Sequence, residues 1–517
     1  MGVIKTQLKN QIELRSVMER KSVFSKGRVL SQSSPSRRKA LFSVFFFFIL
    51  SDAVFGAPPP MSVPVDYSSL SNQSEGVFSF LDGINRNQYF FGDLWGFRTL
   101  LSRFGMSLSL QETSEVLGNA TGGTQQGATY DGLAQAVLQL DTARAFGLPG
   151  GLLNISGLNV HGINLSAQNL SDLQTASGIE AEDGFRFWEI WYDQKFYDDS
   201  GVSRLDLKLG QQSLDQEFMD SSNAAYFVNT MFGWPMVPSA DLPGGGPAYP
   251  LSGLGARVRW KPTDSLNILA GVFNGSPSPV MGGDSQEEDP SGLSFPLNGG
   301  VLAIAELQYS FPSLGDMVYS STPALSGTYR LGVWYDTENF ADLRYDDQGL
   351  SLANPLSDGN PQNHSGDYSF YGVADQMIWR SDKDPNRTLS VFARAMWAPP
   401  DRNYVDFSAN FGFVLKDPFI YRTDDIFGLG MGFAHVSPSV SGLASDTGSY
   451  FPGTFNPQPS GEIFVEATYQ YFVFPWFQLQ PDLQYVFNPG GGIENPNAPG
   501  QLIQNEFVLG SRAILQF

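Results

Sequence analysis

The sequence predicts an all-β fold, a transmembrane antiparallel β-barrel of about sixteen strands. Charged residues make up only 16% of the chain, below the roughly 25% of an ordinary soluble domain. Aromatic residues are abundant, with 41 Phe, 20 Tyr and 9 Trp. No uninterrupted apolar stretch reaches the about 18 residues that a membrane-spanning helix needs. These three observations together favour a membrane barrel, whose strands give only weak individual signals.

Alternation of apolar and polar residues with a period of two is the main evidence for strands. In "SRLDLKLGQ", Leu205, Leu207 and Leu209 share one face, and Asp206 and Lys208 lie on the other. The same parity occurs in "GARVRW", "YRLGVWYD", "SVFARAMW" and "EIFVEATYQY". A half-buried strand of a soluble sandwich also alternates. Here Trp or Tyr stands at the ends of the apolar faces, as the aromatic girdle of a membrane barrel requires, so we expect lipid outside and water inside.

The chain ends in a further alternating segment, "EFVLGSRAILQF", which stops at Phe517. Phe507, Leu509 and Leu515 share an apolar face, and Arg512 lies on a mixed one. A strand that is ordered to its last residue must be paired on both sides, as in the closing strand of a barrel. We therefore expect Phe517 to be the signal by which the barrel-assembly machinery recognises that strand.

The first 57 residues differ from the rest and predict a secretory signal peptide with an unusually long basic region. They contain ten basic residues and three acidic ones, followed by an apolar run, 40–50, and by Gly56 and Ala57. The long basic region leaves open a translation start at Met18, and a short membrane anchor is disfavoured because the apolar run is too short to span. A Ser/Pro-rich lead-in follows at 58–88, and the predicted barrel occupies 89–517.

Length sets the expected strand number. A spanning strand needs about ten residues, and a strand with its connection takes roughly 29. The residues after the signal therefore fit about sixteen strands, and a barrel of that size contains an aqueous channel. Long polar connections are expected at one rim and tight turns at the other. Pro481 cannot donate to a strand ladder, so it predicts a bulge or a strand end within "FQLQPDLQYV".

Charge and motif content exclude several classes of protein. The net charge of −21 becomes more negative without the basic signal, which argues against nucleic-acid binding. The absence of cysteine fits an exported bacterial protein. The three histidines are isolated, with neither a HExxH pair nor a Gly-x-Ser-x-Gly elbow, and the acidic loop 284–289 lacks EF-hand spacing. We predict no catalytic residue, no metal site and no cofactor; a lipid hydrolase would need a Ser–His pair facing lipid.

From Phe91 onward the sequence resembles the carbohydrate-selective porins of the OprB type. "GDLWGFR" (92–98) is similar to the Gly-Asp-Trp-Gly-x-Arg-like segment that opens the mature chains of that family, with one extra residue. The similarity continues through "FWEIWYDQKFYDD", "LGQQSLDQEF", "YRLGVWYDT" and "LQPDLQYVFNPGG", and covers most of 91–517. The resemblance implies a sixteen-stranded outer-membrane porin, surrounded by outer-membrane lipid, that passes monosaccharides such as glucose by diffusion without a cofactor.

A pore of this kind needs hydrogen-bond donors and acceptors that replace the hydration shell of a sugar, and an apolar face for its ring. Inward-facing candidates are the donors Arg204, Lys208, Arg257, Arg259 and Arg330, the acceptors Glu189, Asp206, Glu306 and Glu466, and the stacking residues Trp191 and Trp334. These charges could instead pair with one another across neighbouring strands. Trp188, Ile190 and Tyr192 offer an equally apolar alternative face for their strand. The sequence also leaves two other hypotheses open: a general or anion-leaning diffusion pore, and a structural anchor that does not conduct.

Overall fold

The computed structural model describes residues 88–279, 284–312, 324–419, 422 and 424–517. Sixteen antiparallel strands form one closed barrel, in which each strand pairs with its sequence neighbours and the first pairs with the last. The predicted fold is confirmed. The predicted signal peptide, and the lead-in up to residue 87, lie outside the described residues. The strands are β1 Met106–Gly123, β2 Gly127–Asp141, β3 Gly151–Gly162, β4 Gly184–Tyr197, β5 Ser203–Gln212, β6 Gly253–Trp260, β7 Leu266–Asn274, β8 Val301–Phe311, β9 Gly327–Asp346, β10 Pro361–Arg380, β11 Thr388–Trp397, β12 Val405–Lys416, β13 Ile426–Val436, β14 Gly461–Phe474, β15 Phe477–Phe487 and β16 Gln504–Gln516.

The α-helices of the described residues are short and lie outside the strands. They are α1 Phe97–Arg103, α2 Thr142–Phe146, α3 Thr230–Gly233, α4 Met236–Asp241, α5 Ser285–Glu288 and α6 Pro438–Tyr450. Across the described ranges, no helix has both the length and the apolar character that a membrane crossing requires.

The predicted alternation is present in the barrel wall. Leu205 and Leu209 of β5 are 40% and 47% exposed, whereas Asp206 and Lys208 are 5% and 6% exposed. In β5 the outward-facing side chains are thus apolar and the inward-facing ones are polar, as a lipid-facing exterior and a water-filled lumen require. Trp260, like other aromatic residues at the strand ends, is exposed on the outer face.

The connections differ in length at the two rims. Long connections, such as 163–183, 213–252 and 437–460, lie at one rim, and short turns, such as 261–265 and 475–476, lie at the other. The segment that precedes β1 and the C-terminal residue are also at the short-turn rim. In outer-membrane barrels the rim with long loops faces the exterior of the cell.

The C-terminal residue is held at the barrel seam by the residues before β1. The backbone N–H of Phe517 donates to Leu110 O at 3.0 Å, and its ring stacks on Phe91 with the centroids 5.4 Å apart. The guanidinium of Arg98 donates to the backbone oxygen of Phe517 and to that of Leu108. The segment that ends in Arg98 therefore covers the end of the closing strand.

Pro481 lies in the middle of β15, opposite Ser511 of β16, without a shift in register. The predicted bulge or strand end at this proline is therefore wrong. The pairing between β14 and β15 instead omits Tyr469 and Gln470 and resumes in the same register. A local gap in the ladder accommodates the missing proline N–H.

Candidate functional site: the channel constriction

The connection between β5 and β6, residues 213–252, folds into the barrel; we name it the inner loop. Phe227 and Phe232 of this loop are buried in one apolar cluster with Phe392 of β11 and Phe464 of β14. The ring of Phe232 lies 5.6 Å from that of Phe392 and 5.2 Å from that of Phe464, both in edge contact. The inner loop therefore packs against the far wall and narrows the lumen.

β13 provides space for this packing because its inner face carries glycine. A Cβ atom on Gly428 would approach the ring of Phe227 to 2.9 Å, and one on Gly430 would approach the ring of Phe232 to 2.7 Å. Both distances are too short for real carbon contacts. The alternating glycines of "IFGLGMGFAHV" are thus a sequence signal for an element that lies against this strand.

Carboxylates of the wall hold the inner loop through its backbone N–H groups. Glu306 of β8 accepts a hydrogen bond from Met219 N at 2.8 Å. Glu466 of β14 accepts from Val228 N at 2.7 Å and from Asn229 N at 3.0 Å. Both glutamates were predicted as acceptors for sugar, but the structure places them under the loop, where they satisfy otherwise unpaired backbone donors.

Two further wall residues contribute to this attachment. Glu189 of β4, also a predicted sugar acceptor, accepts from Ser213 N at 3.0 Å. Asp375 of β10 accepts from Asn223 N at 3.2 Å and from the hydroxyl of Ser221 at 2.7 Å. Charge-assisted hydrogen bonds thus fasten the inner loop at several points along its length.

Cationic side chains hold the same loop from β9 and β11. Arg330 Nη1 lies 2.9 Å from Asp220 Oδ2 of the loop. Arg394 donates to the carbonyl oxygens of Met219 and Gly233 at 2.8 and 2.9 Å. Trp334, predicted as a stacking face for sugar, is only 1% exposed and belongs to the apolar cluster beneath the loop.

Opposite this attachment, Glu217 of the inner loop meets a group of cations on β5 and β6. Its carboxylate lies 2.7 Å from Arg257 Nε and 2.8 Å from Arg259 Nη2, and it also contacts Lys208 Nζ. Asp206 contacts Arg257 and lies 3.6 Å from Arg259. Four residues predicted to line the lumen therefore converge around one loop carboxylate.

The charges of this group determine its electrostatics. Burial raises the pKa of the Glu217 carboxyl, but the positive charges of Lys208 and Arg259 outweigh burial and hold its pKa below the ordinary value. The three cations of the group face Glu217, Asp206 and also Asp193, which lies 3.8 Å from Arg257. Because the two signs balance, the group produces little net field along the channel.

A bulge in β4 changes which alternate residues of this strand face the lumen, so that one residue of the alternative face points inward together with the predicted face. Trp188, Glu189 and Trp191 are all buried, and the pairing of β3 with β4 shifts register at this point. Lys208 Nζ lies 4.3 Å from the ring centroid of Trp191, in a cation–π contact. Glu189 and Trp191 therefore point inward as predicted, and Trp188 does so as well because of the bulge. Tyr192 faces outward.

Arg204 lies apart from the group formed by Glu217, Asp206, Lys208, Arg257 and Arg259, towards the short-turn rim. It forms ion pairs of 2.8 Å with Asp198 and 2.9 Å with Asp264. A cavity of about 240 Å³ connects this region to Arg259. The cavity is lined by Lys195, Ser203, Arg204, Asp206, Arg259, Lys261 and Asn267.

Sequence reasoning missed the inner-loop acids Glu217 and Asp220, because the loop has no periodicity that would place it inside the barrel. It also did not select Arg394 and Asp375, although the parity of "SVFARAMW" already put Arg394 on the polar face. The loop motif "LGQQSLDQEF", which ends just after Glu217, was the available signal.

A closed barrel with an apolar, aromatic exterior and a charged constriction formed by an inward-folded loop defines a porin of the outer membrane. Residues 125–517 match the family model described as "Carbohydrate-selective porin, OprB family". The chain belongs to this family, and it is a carbohydrate-selective porin of the bacterial outer membrane.

Known relatives agree with this assignment. The chain is 26% identical to Porin B of Pseudomonas aeruginosa over 438 residues, which cover 80% of this chain and 89% of the relative. It is 20% identical to the putative porin QuiX of Acinetobacter baylyi, over 80% of this chain and 91% of that one. The high-pH structure of Pseudomonas putida OprB superimposes with a TM-score of 0.70 at 25% identity, covering 84% and 99% of the two chains.

Proposed function

We propose that this porin passes neutral monosaccharides such as glucose by passive diffusion, without chemical change of the sugar. The observation that carries the proposal is the constriction between the inner loop and β5–β6, where three acids, Glu217, Asp206 and Asp193, balance the three cations Lys208, Arg257 and Arg259. A balanced group offers donors and acceptors to a polyol without attracting either sign of ion strongly.

Only part of this group is accessible to a passing solute. The side chain of Arg259 is 34% exposed, whereas that of Arg257 is 2% exposed. Asp220, on the inner loop, has a side chain that is 36% exposed, and its partner Arg330 is 11% exposed. We therefore assign direct contact with sugar hydroxyls to Arg259 and Asp220, and we assign to the buried charges, Arg330 included, the task of holding these two groups in place.

The comparisons support this proposal at the level of the substrate class. The family description names carbohydrate selectivity, and the relationship to Porin B covers most of both chains. Glucose is our own choice within that class, because a single pyranose ring presents the mixture of hydroxyl donors and acceptors that these side chains complement.

Single-channel conductance in a planar bilayer tests the proposal, with glucose titrated at fixed salt. We expect concentration-dependent, saturable block of the ion current, weakened several-fold in Arg259→Gln and Asp220→Asn. Glu494→Gln, in the connection between β15 and β16, is the control. Glucose should block the ion current through this variant as it blocks the current through the wild type. Open channels that are indifferent to glucose at every concentration would overturn the proposal.

A general or anion-leaning diffusion pore is the second candidate. One observation favours it: four of the seven residues that line the cavity near the short-turn rim are the cations Lys195, Arg204, Arg259 and Lys261. The reversal potential in a salt gradient separates the two candidates. Strong anion preference without block by glucose would favour the second one.

We also propose that the barrel-assembly machinery recognises Phe517. In support, this aromatic residue ends a strand that closes the seam between β1 and β15. In the folded barrel its ring and backbone oxygen are covered by Phe91 and Arg98, so recognition would precede this packing.

A further inference from the structure

Two buried carboxylates near the long-loop rim have no hydrogen-bond partner. Asp172 lies in the connection between β3 and β4, and Glu506 lies near the start of β16. Both oxygens of each side chain are buried and unpartnered, and Glu506 is 0% exposed. Buried polar groups in native proteins are normally paired, so two acids whose four oxygens are all buried without a partner require an explanation.

The surroundings of this pair are negative. The groups that act electrostatically on Glu506 are Asp172 and Glu462, and Glu462 also acts on Asp172. Burial and the charge of Glu462 raise the pKa of the Asp172 carboxyl well above its usual range. The hydroxyl of Ser166 lies close enough to lower the pKa of Asp172, but its proton is donated to Glu180 at 3.2 Å. Within the described ranges, neither carboxylate forms an ion pair with Lys, Arg or His.

Glu462 does not supply the hydrogen-bond donor or positive charge that Asp172 and Glu506 lack. Its two oxygens accept from Leu173 N and Gln174 N at 2.8 Å, and from Gly490 N at 2.7 Å. It therefore fixes the backbone that follows Asp172 and adds a negative charge, while the oxygens of Asp172 and Glu506 stay free. Carboxylates that are buried together without a counter-charge are costly in their ionised form.

We propose that Asp172 and Glu506 together bind one divalent cation, Ca²⁺ or Mg²⁺. Their four orphan oxygens are hard donors without nitrogen or sulfur among them, which selects these cations over transition metals. Ca²⁺ in particular accepts irregular oxygen coordination and carboxylates that bind through one or both oxygens. In the part of the chain that the structure describes, no three His, Cys, Asp or Glu side chains form a complete cage. Water and main-chain carbonyls therefore complete the coordination.

Such a cation would connect the β3–β4 connection to the closing strand, and through it the inner loop. The backbone oxygen of Gln174 accepts from Asn229 Nδ2 at 3.0 Å, and that of Ser177 accepts from Thr230 Oγ1 at 2.6 Å. Asn229 and Thr230 belong to the inner loop, so the segment next to Asp172 supports the constriction. The cation site is thus a structural site that stabilises the channel rather than a part of the sugar pathway.

Thermal unfolding of the full-length porin in detergent tests this inference, after dialysis against EGTA and titration with CaCl₂ or MgCl₂ at constant ionic strength. We expect a saturable rise of several degrees in the midpoint of the wild type. This rise should be absent in Asp172→Asn and in Glu506→Gln. Asp183→Asn changes an exposed acid of the same connection and should respond as the wild type does. Equilibrium dialysis with ⁴⁵Ca²⁺ should give one high-affinity ion per chain, lost in both variants.

Three outcomes would overturn the site. The first is no response of the wild type to either cation. The second is an equal response in the wild type and both variants, which would place any binding elsewhere. The third is an unfolding midpoint that depends on pH but not on cations and that is higher in Glu506→Gln than in the wild type. This result would show that the two carboxyl groups share a proton instead of binding a cation. None of these outcomes bears on glucose block, so the inference and the proposed function fail independently.

Discussion

Glu217 of the inner loop lies 2.8 Å from Arg259 of β6, and this ion pair joins the loop to the wall on the side of β5 and β6. The same carboxylate lies 2.7 Å from Arg257, which is almost fully buried. One side chain therefore sets both the position of the loop and the charge balance of the constriction.

Replacing Glu217 by glutamine should release the loop on this side and leave the buried Arg257 without one of its two contacting counter-charges. Removal of one member of a buried ion pair costs about 3–5 kcal/mol, and we expect a loss near the lower end because the site borders water. Urea unfolding in detergent measures this loss. The reversal potential should also shift towards anion selectivity. An unchanged reversal potential would contradict the role assigned to Glu217, and Glu494→Gln is the control.

The lowered pKa of Glu217 predicts a pH dependence. Because its pKa in the folded protein lies below the ordinary value of 4.5, the ionised form contributes stability that is fully present above that value. This contribution is lost as the pH falls below 4.5, through the folded pKa. Other carboxylates titrate in the same range, so the measurement is the difference in unfolding free energy between wild type and Glu217→Gln. The difference should be constant from pH 8 to about pH 5 and should shrink below it; a constant difference at all pH values would refute the assignment.

Gly430→Ala should disturb the packing of the inner loop. Its new Cβ would approach the ring of Phe232 to 2.7 Å, so either the ring or the loop must move. Overpacking of this kind costs about 1–3 kcal/mol. Gly372→Ala is a matched control in β10, where the nearest atom, in Leu331, would lie 3.4 Å away. We expect lower stability and altered single-channel conductance in Gly430→Ala alone; equal behaviour of the two variants would show that the loop is not packed against β13.

Deletion of Phe517 should prevent insertion in cells, because both the proposed assembly signal and the last contact of the seam are removed. Arg98→Gln keeps the signal and removes only the guanidinium that binds the terminal backbone oxygen. Heat-modifiable migration in SDS gels reports the folded barrel. We expect Arg98→Gln to insert but to unfold at a lower temperature. Normal assembly without Phe517 would rule out the signal.

Local sequence determined the wall of the barrel. Leu209 faces lipid and Lys208 faces the lumen because the side-chain direction alternates with every residue of a strand. Lipid on the outside favours apolar side chains, and water in the lumen favours polar ones. The same rule oriented Arg257, Arg330 and Glu466 correctly. It failed at Pro481, where the ladder opens without a bulge, because a gap in pairing leaves no mark in the residue pattern.

Tertiary structure decided what the inward-facing residues contact. Glu466 and Glu306 point inward as the sequence implied, yet they bind backbone N–H groups of the inner loop, which comes from a distant part of the chain. The sequence by itself therefore determined the class of fold, the two faces of the regularly alternating strands and the family resemblance, all of which depend on short-range periodicity and motif order. The convergence on Glu217, the bulge beside Glu189 and the burial of the oxygens of Asp172 and Glu506 arose only on folding, because a loop without periodicity does not show in its sequence which part of the wall it contacts.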